Sequence, residues 1–481
     1  MNKRLVFKVV GISLLIEAAF LLLPLLIALF AKSGDAPAFA VTALACAALG
    51  FPLSRLNTPH AMMQNRDGYA AVALCWLFLS ALGALPYTLS GCCSYVDALF
   101  ETVSGFTTTG ASIFSSPSSL PRGIQFWRAL TQWMGGMGVL VLLLALLPKL
   151  GGGSVNLMKA ESPGPISSKL LPRTADTAKA LYVIYIALTV SETLLLRIAG
   201  MPWFDAVTTS FTTISTGGFS IRDSSIAYYN SEAIVWIVIF FMFVSAINFS
   251  LLFLAFVQRK VKEALQSEEL HWYVLIVLGT AALIAVQLHF YSGLPAYTAV
   301  SHSVFQVVSL ITTTGYATAD YVLWPFFSQA LLLTVMFIGG CAGSTGGGIK
   351  VSRILLLFKS LRRDLRRTLH PHEVRPITLD GKRVEESTIS SISLFFFAYL
   401  VILLLSAVVV SADALSFGEA FSAALTSISN VGPGIGALGP TSNFGVLSDL
   451  STFVLTWTML LGRLEIIPVL VLFFPALWRH K

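Results

Sequence analysis

Long apolar stretches, broken by short polar ones, occupy most of the chain. A bilayer core requires roughly 20 apolar residues per helix. Stretches near that length run over 5–30, 36–53, 69–90, 124–147, 178–198, 233–257, 271–291, 389–410 and 447–477, and a shorter, interrupted one covers 326–338. The pattern predicts ten spans in an all-α membrane protein. Hydrophobic residues make up 56% of 481 and charged residues 11%, which excludes a soluble domain. Lys3, Arg4 and Lys8 precede the first stretch as they would in a signal peptide. That stretch is long and no small-residue cleavage site follows it, so it reads as a retained helix.

Between the spans, four polar runs close on a glycine: Thr107-Thr108-Thr109-Gly110, Ile214-Ser215-Thr216-Gly217, Thr312-Thr313-Thr314-Gly315 and Ser429-Asn430-Val431-Gly432. Aligned on these glycines, 98–110 and 303–315 share Phe100/Phe305, Val103/Val308, Ser104/Ser309, the three threonines and the glycine without a gap. Segments 205–217 and 420–432 keep the length and the small polar character with fewer identities. The glycines recur roughly every 100 residues, room for two spans and a re-entrant hairpin. The unit reads as outer helix, short half-helix, polar loop, inner helix. The predicted fold is therefore four tandem helix–pore-loop–helix repeats in a pseudo-fourfold arrangement, plus two N-terminal transmembrane helices. The boundaries expected are 1–66 for the N-terminal extension, then 67–150, 151–258, 259–370 and 371–481 for repeats one to four.

The residue types in these loops suit cation binding. Irregular backbone at membrane depth is tolerated only where it is buried in protein or lines a water-filled cavity. A half-helix ending at the loop aims its partial negative charge at the pore centre. Glycine permits backbone angles that turn successive carbonyls inward, and hydroxyls add oxygens or pin the loop from behind. Potassium-selective filters are rings of four carbonyl loops, and Thr313-Thr314-Gly315-Tyr316 echoes their Thr-x-Gly-Tyr-Gly pattern. The candidate ion-binding residues are Thr108, Thr109, Gly110, Ser215, Thr216, Gly217, Thr313, Thr314, Gly315, Asn430, Val431 and Gly432. Small-residue packing between helices accounts for one such loop, but poorly for four in register.

Charge sets the orientation. With the N-terminus in the cytoplasm, the inner loops 55–66, 149–179, 258–269 and 350–383 hold most of the Lys and Arg, and Arg479-His480-Lys481 falls inside too. The net charge of +7 is thus an inner-face charge and gives no reason to expect nucleic acid as a partner. The five cysteines, Cys46, Cys75, Cys92, Cys93 and Cys341, form no metal spacing and suggest no disulfide.

The fourfold repeat resembles the Trk/Ktr/HKT superfamily of potassium transporters. So do the run Phe126-Trp127-Arg128-Ala129-Leu130-Thr131-Gln132-Trp133-Met134-Gly135-Gly136-Met137-Gly138, the glycine-rich 339–350 and Ser429-Asn430-Val431-Gly432-Pro433-Gly434. The two additional N-terminal spans are similar to the TrkH/TrkG branch. The resemblance covers essentially the whole chain. It implies K+ as the transported ion, uptake across a bacterial inner membrane, both termini cytoplasmic, and a homodimer with one pore per protomer. It also implies control by a cytoplasmic nucleotide-binding ring of the TrkA type. This chain itself has no Walker loop or dinucleotide fingerprint, so no nucleotide is expected on it. Glycine stands in all four loops, whereas some plant relatives that pass sodium carry serine in the first. Potassium and rubidium are therefore expected over sodium and lithium.

Two further features carry mechanism. In 339–348 six of ten residues are glycine, a composition that breaks a helix. It reads as a flexible intramembrane loop or as a kinked, closely packed helix. In the resembling family such a loop gates the pore, which nominates Gly343, Ser344, Thr345, Gly346, Gly347 and Lys350. Lys350 either snorkels to the inner face or meets cavity groups. Arg463 lies inside the last apolar stretch, where charge is costly and usually faces a bundle interior or a cavity. It is either a barrier in the permeation path, as the resemblance implies, or one half of a buried ion pair. Glu17 and Glu192 also lie in apolar stretches and read as hydrogen-bonded acids between helices. Arg128 is placed to brace a half-helix. The basic run 359–367 suits membrane lipids or a cytosolic partner equally. Gated channel and proton- or sodium-coupled symporter both remain open on these residues. An enzyme is not expected, because no acids, His or Cys converge at membrane depth.

Overall fold

A computed structural model describes residues 2–58, 64–138, 174–373, 375–413 and 415–475. The second half of the stretch 124–147, most of the loop 149–179 and Arg479-His480-Lys481 lie outside the described residues. Apart from a two-residue antiparallel pair, Thr378–Leu379 with Lys382–Arg383, the described elements are helices.

Two helices, Lys3–Ala31 and Ala36–Ser54, form the N-terminal extension. They cross closely at Gly11 and Gly50, where a methyl on Gly11 would lie 2.5 Å from Leu53 Cβ. Four repeats follow. Their outer helices are Asn65–Gly83, Thr174–Ile198, Glu268–Phe290 and Glu386–Val410. Their half-helices are Tyr95–Phe106, Trp203–Ile214, Ala296–Ile311 and Phe417–Ser429. Their inner helices begin at Arg122, Glu232, Phe326 and Asp449. Serine or proline stands before most of these starts. Ser94, Ser416 and Ser448 accept a hydrogen bond from a first-turn amide, and Ser416 forms a capping box with Glu419. Pro121, Pro202, Pro295 and Pro325 hold the residue before the helix at a fixed φ.

Among the described residues, six helices are long and apolar enough to cross a membrane, or seven if a bent pair counts as one span. The chain is therefore a multi-pass membrane protein. The inner helices depart from the continuous spans that hydropathy predicts. The stretch 233–257 is two helices, Glu232–Ser245 and Phe249–Phe256, bent by 101° across Ala246-Ile247-Asn248. The stretch 447–477 breaks after Asp449–Arg463 and resumes as Ile467–Leu472, with Glu465 and Ile466 at positive φ between them. The third inner helix, Phe326–Ile338, ends at Gly339, and the first ends at Gly136. All four inner helices are thus interrupted or end, and Gly135 and Gly462 of the first and fourth lie against the half-helix ends at Phe106 O and Ile428 O. A hydropathy average does not show the breaks, because single polar residues such as Asn248 and Glu465 are outweighed by their apolar neighbours.

Candidate functional site

Each half-helix ends in the same way. Thr108, Thr216, Thr313 and Asn430 take left-handed backbone, with φ of 55°, 54°, 61° and 54°. The next amide then reaches back five residues: Thr109 N to Ser104 O, Gly217 N to Thr212 O, Thr314 N to Ser309 O and Val431 N to Thr426 O, at 2.8–2.9 Å. This is the left-handed helix stop, and it leaves the following residue free to turn. Two residues after each left-handed position stands a glycine at positive φ: Gly110 at 80°, Gly218 at 75°, Gly315 at 83° and Gly432 at 106°.

The second loop is thereby one residue out of step with the sequence alignment. Its counterpart of Gly110 is Gly218, and Gly217 occupies the place of Thr109, Thr314 and Val431. Gly217 is needed for a different reason. The Gln132 carboxamide spans this loop, donating to Gly217 O at 2.7 Å and accepting from Phe219 N at 3.0 Å. A methyl on Gly217 would sit 2.3 Å from Gln132 Cδ. Sequence alignment met two adjacent glycines and chose the first, and nothing in the motif run assigned Gln132 a role.

The four loops close into a ring. A methyl built on Gly110 would lie 2.1 Å from Gly217 O, one on Gly218 1.7 Å from Thr314 O, one on Gly315 2.2 Å from Val431 O, and one on Gly432 2.8 Å from Thr109 O. Each glycine therefore faces the carbonyl of the next repeat, and repeat four returns to repeat one. Side-chain ties follow the same circuit. Arg128 of repeat one donates to Ser220 O at 3.0 Å, Tyr316 OH of repeat three to Thr209 O at 3.2 Å, Tyr321 OH to Gly434 O at 2.8 Å, and Asn430 Nδ2 to Thr109 Oγ1 at 2.9 Å. Arg128 also forms a buried 2.7 Å ion pair with Glu101 of the first half-helix, whose other oxygen accepts from Ile113 N at 3.0 Å. That pair braces the first loop.

Beneath the ring lies the glycine-rich segment between Phe326–Ile338 and the helix Val351–Leu369. It is an ordered loop rather than a kinked helix. Thr345 Oγ1 is 3.1 Å from both Ile214 O, at the end of the second half-helix, and Ser245 O, at the break of the second inner helix. Gly347 N donates to Thr313 Oγ1 at 2.7 Å, and Gly348 N to Ser429 O at 2.8 Å. Gly343 O accepts from Phe249 N at 3.0 Å, and Ser344 Oγ donates to Cys341 O. A methyl on Gly347 would lie 2.1 Å from Ser429 O, and one on Gly346 3.0 Å from Thr312 O. Lys350 does not snorkel: its Nζ folds back onto Gly346 O.

Arg463 completes this layer from the fourth inner helix. Nη1 donates to Thr345 O at 2.8 Å, and Nη2 to Gly135 O and Gly136 O at 2.6 and 2.7 Å. Glu465 pairs with Arg353 of the helix after the loop, so the ion pair considered for Arg463 within its own segment goes to another arginine. Residues of all four repeats meet here, below the ring. Glu17 and Glu192 are both buried; Cys46 Sγ lies 3.7 Å from Glu17 Oε2, and Glu192 lies beside Thr213 in the last turn of the second half-helix.

The comparisons agree with this geometry. The TrkH family, described as cation transport protein, matches residues 36–480. The Trk system potassium uptake protein TrkH of Salmonella typhimurium is 39% identical over 485 residues, covering 100% of both chains. The Trk system potassium uptake protein TrkG of Escherichia coli is 34% identical, covering 99% of each. The crystal structure of the potassium transporter TrkH from Vibrio parahaemolyticus superposes with a TM-score of 0.88 at 36% identity over 100% of both chains. A ring of four glycine loops, an ordered loop beneath it and full-length similarity place this chain in the TrkH family of cation transport proteins.

Proposed function

We propose that this chain carries potassium into a bacterial cell through a single pore built from its four repeats, 67–150, 151–258, 259–370 and 371–481. The closed ring is the observation that supports this. Four carbonyls, of Thr109, Gly217, Thr314 and Val431, stand at one level, each against the glycine of the neighbouring loop. Such a ring replaces the water shell of a dehydrated cation with oxygens. The half-helices add their negative ends at the same depth. Thr108, Thr109, Gly110, Ser215, Thr216, Gly217, Gly218, Thr313, Thr314, Gly315, Asn430, Val431 and Gly432 form the filter in this reading.

The loop 339–350 is the gate, held closed across the pathway by Thr345, Gly347 and Arg463. Its bonds run to the half-helix ends and to the broken inner helices, so opening exchanges these bonds for water-filled space. The relatives' names speak of a Trk system, and partner subunits belong to the reading. We assign control to a nucleotide-binding cytoplasmic ring and place the chain as a homodimer in the inner membrane with both termini inside.

Rubidium uptake into liposomes, under opposed sodium and proton gradients, tests conduction against coupling. Uptake is expected to follow the rubidium gradient alone. Uptake that runs uphill on a sodium or proton gradient would replace the pore with a symporter.

A further inference from the structure

We infer that Glu269 is the latch that closes the base of the gating loop. The inference rests on the gate reading of 339–350. Glu269 is the second residue of the third outer helix, Glu268–Phe290, and is only 5% exposed. Its Oε1 accepts from Ala342 N at 2.7 Å and from Ser352 N at 3.1 Å. One carboxylate oxygen therefore bridges the entry and the exit of the loop. The two amides lie ten residues apart in sequence, on either side of the segment that crosses beneath the ring.

Position and chemistry support a latch rather than simple filling of space. The loop interior is tied to neighbours by neutral bonds to Thr313 Oγ1, Ile214 O, Ser245 O and Ser429 O, and by the Arg463 guanidinium on Thr345 O. The base is tied by a charged acceptor, and hydrogen bonds to ionised groups are roughly twice as strong as neutral ones. The neighbouring Glu268 binds Lys359 Nζ at 2.7 Å on the helix that follows the loop. Two successive glutamates thus fix the loop and the helix leaving it to one rigid element. Backbone bonds from Lys350 N to Ile338 O at 2.9 Å and from Val351 N to Gly340 O at 3.0 Å also join entry to exit, and Oε1 adds the side-chain tie that holds Ala342 to Ser352. Glu269 acts on the loop and touches no ion; it is a positioning residue.

The test compares Glu269→Ala, Glu269→Gln and deletion of 343–347 in purified full-length protein in liposomes, without partner subunits. Rubidium flux and the alkylation rate of Cys341, buried in the loop, are measured together. Loss of a charged hydrogen bond shifts a two-state equilibrium by about tenfold. Glu269→Ala is expected to raise basal flux and Cys341 alkylation by about that factor. Glu269→Gln keeps an acceptor oxygen and falls between it and the parent. In the loop-deleted protein, Glu269→Ala adds nothing to the flux. Should Glu269→Ala fail to fold, Glu269→Asp withdraws the carboxylate by one methylene and is expected to raise both readouts. Parent-level flux and alkylation in the Glu269 variants, beside raised flux in the deletion, would overturn the latch and leave the gate standing. No rise in flux on deleting the loop would remove the gate and the latch with it.

Discussion

At the scale of single residues, the four left-handed positions decide the shape of the site. A β-branched residue in this region is unfavourable by about 1–2 kcal/mol, yet three of the four are threonine. For two of them the surroundings offset it: Thr313 Oγ1 accepts from Gly347 N, and Thr216 Oγ1 lies 3.3 Å from Thr345 Oγ1, whereas Thr108 Oγ1 is buried without a hydrogen-bond partner among the described residues. Asn430 suits left-handed backbone better and donates to Met459 O at 3.0 Å. The two adjacent glycines of the second loop separate on the same physics. Gly218→Ala forces a side chain into left-handed backbone against a carbonyl at 1.7 Å, whereas Gly217→Ala meets the movable Gln132 amide. Gly218→Ala is expected to abolish rubidium flux and lower the melting temperature, with Gly217→Ala milder in both. Equal effects, or the reverse order, would return the filter register to Gly217. The register of the glycines at positive φ was legible in the sequence in loops one, three and four. The second loop required backbone angles, because a glycine chosen for close packing and one chosen for φ look alike in a string of letters.

At the scale of elements, the interrupted inner helices make room for the proposed gate. Hydropathy finds the spans but not their breaks. The glycine-rich 339–348 was visible by composition, while the 101° bend at Ala246-Ile247-Asn248 was not, since its residues are compatible with a helix. Arg463 was visible as a costly charge, and its partners were not, because backbone carbonyls of Gly135, Gly136 and Thr345 are among them. That choice of partners sets its behaviour on substitution. Removing an arginine from an acid strands a buried charge and costs about 3–5 kcal/mol. Here Arg463→Ala leaves carbonyls that water in the pathway can meet. It also removes a fixed positive charge from the cation's route, where low dielectric strengthens repulsion. Arg463→Ala is expected to raise potassium conductance several-fold, by about 1 kcal/mol of barrier or more, with little loss of thermal stability and unchanged selectivity. Single-channel recording beside a detergent melting curve checks it. Unchanged conductance with a lowered melting temperature would make Arg463 a structural residue alone.

At the scale of the whole molecule, the proposed pore asks one chain to supply what a ring of four identical loops supplies in potassium-selective filters, and it need not repeat itself faithfully. Ties between repeats are not the same at every junction: an arginine to a carbonyl at one, a tyrosine to a carbonyl at two, an asparagine to a threonine hydroxyl at the last. Backbone geometry is what the four share. The central claim is that these four loops form one potassium-selective filter. The most direct test is the reversal potential of the purified protein with potassium on one side of the bilayer and sodium on the other, for the parent and for Gly110→Ser. A methyl at Gly110 would already lie 2.1 Å from Gly217 O, so the serine displaces a ring carbonyl. The parent is expected to favour potassium strongly, and Gly110→Ser to reduce the potassium-to-sodium ratio by about tenfold, equivalent to roughly 1.4 kcal/mol of discrimination. A parent that passes both ions equally, or a ratio untouched by Gly110→Ser, would contradict the filter.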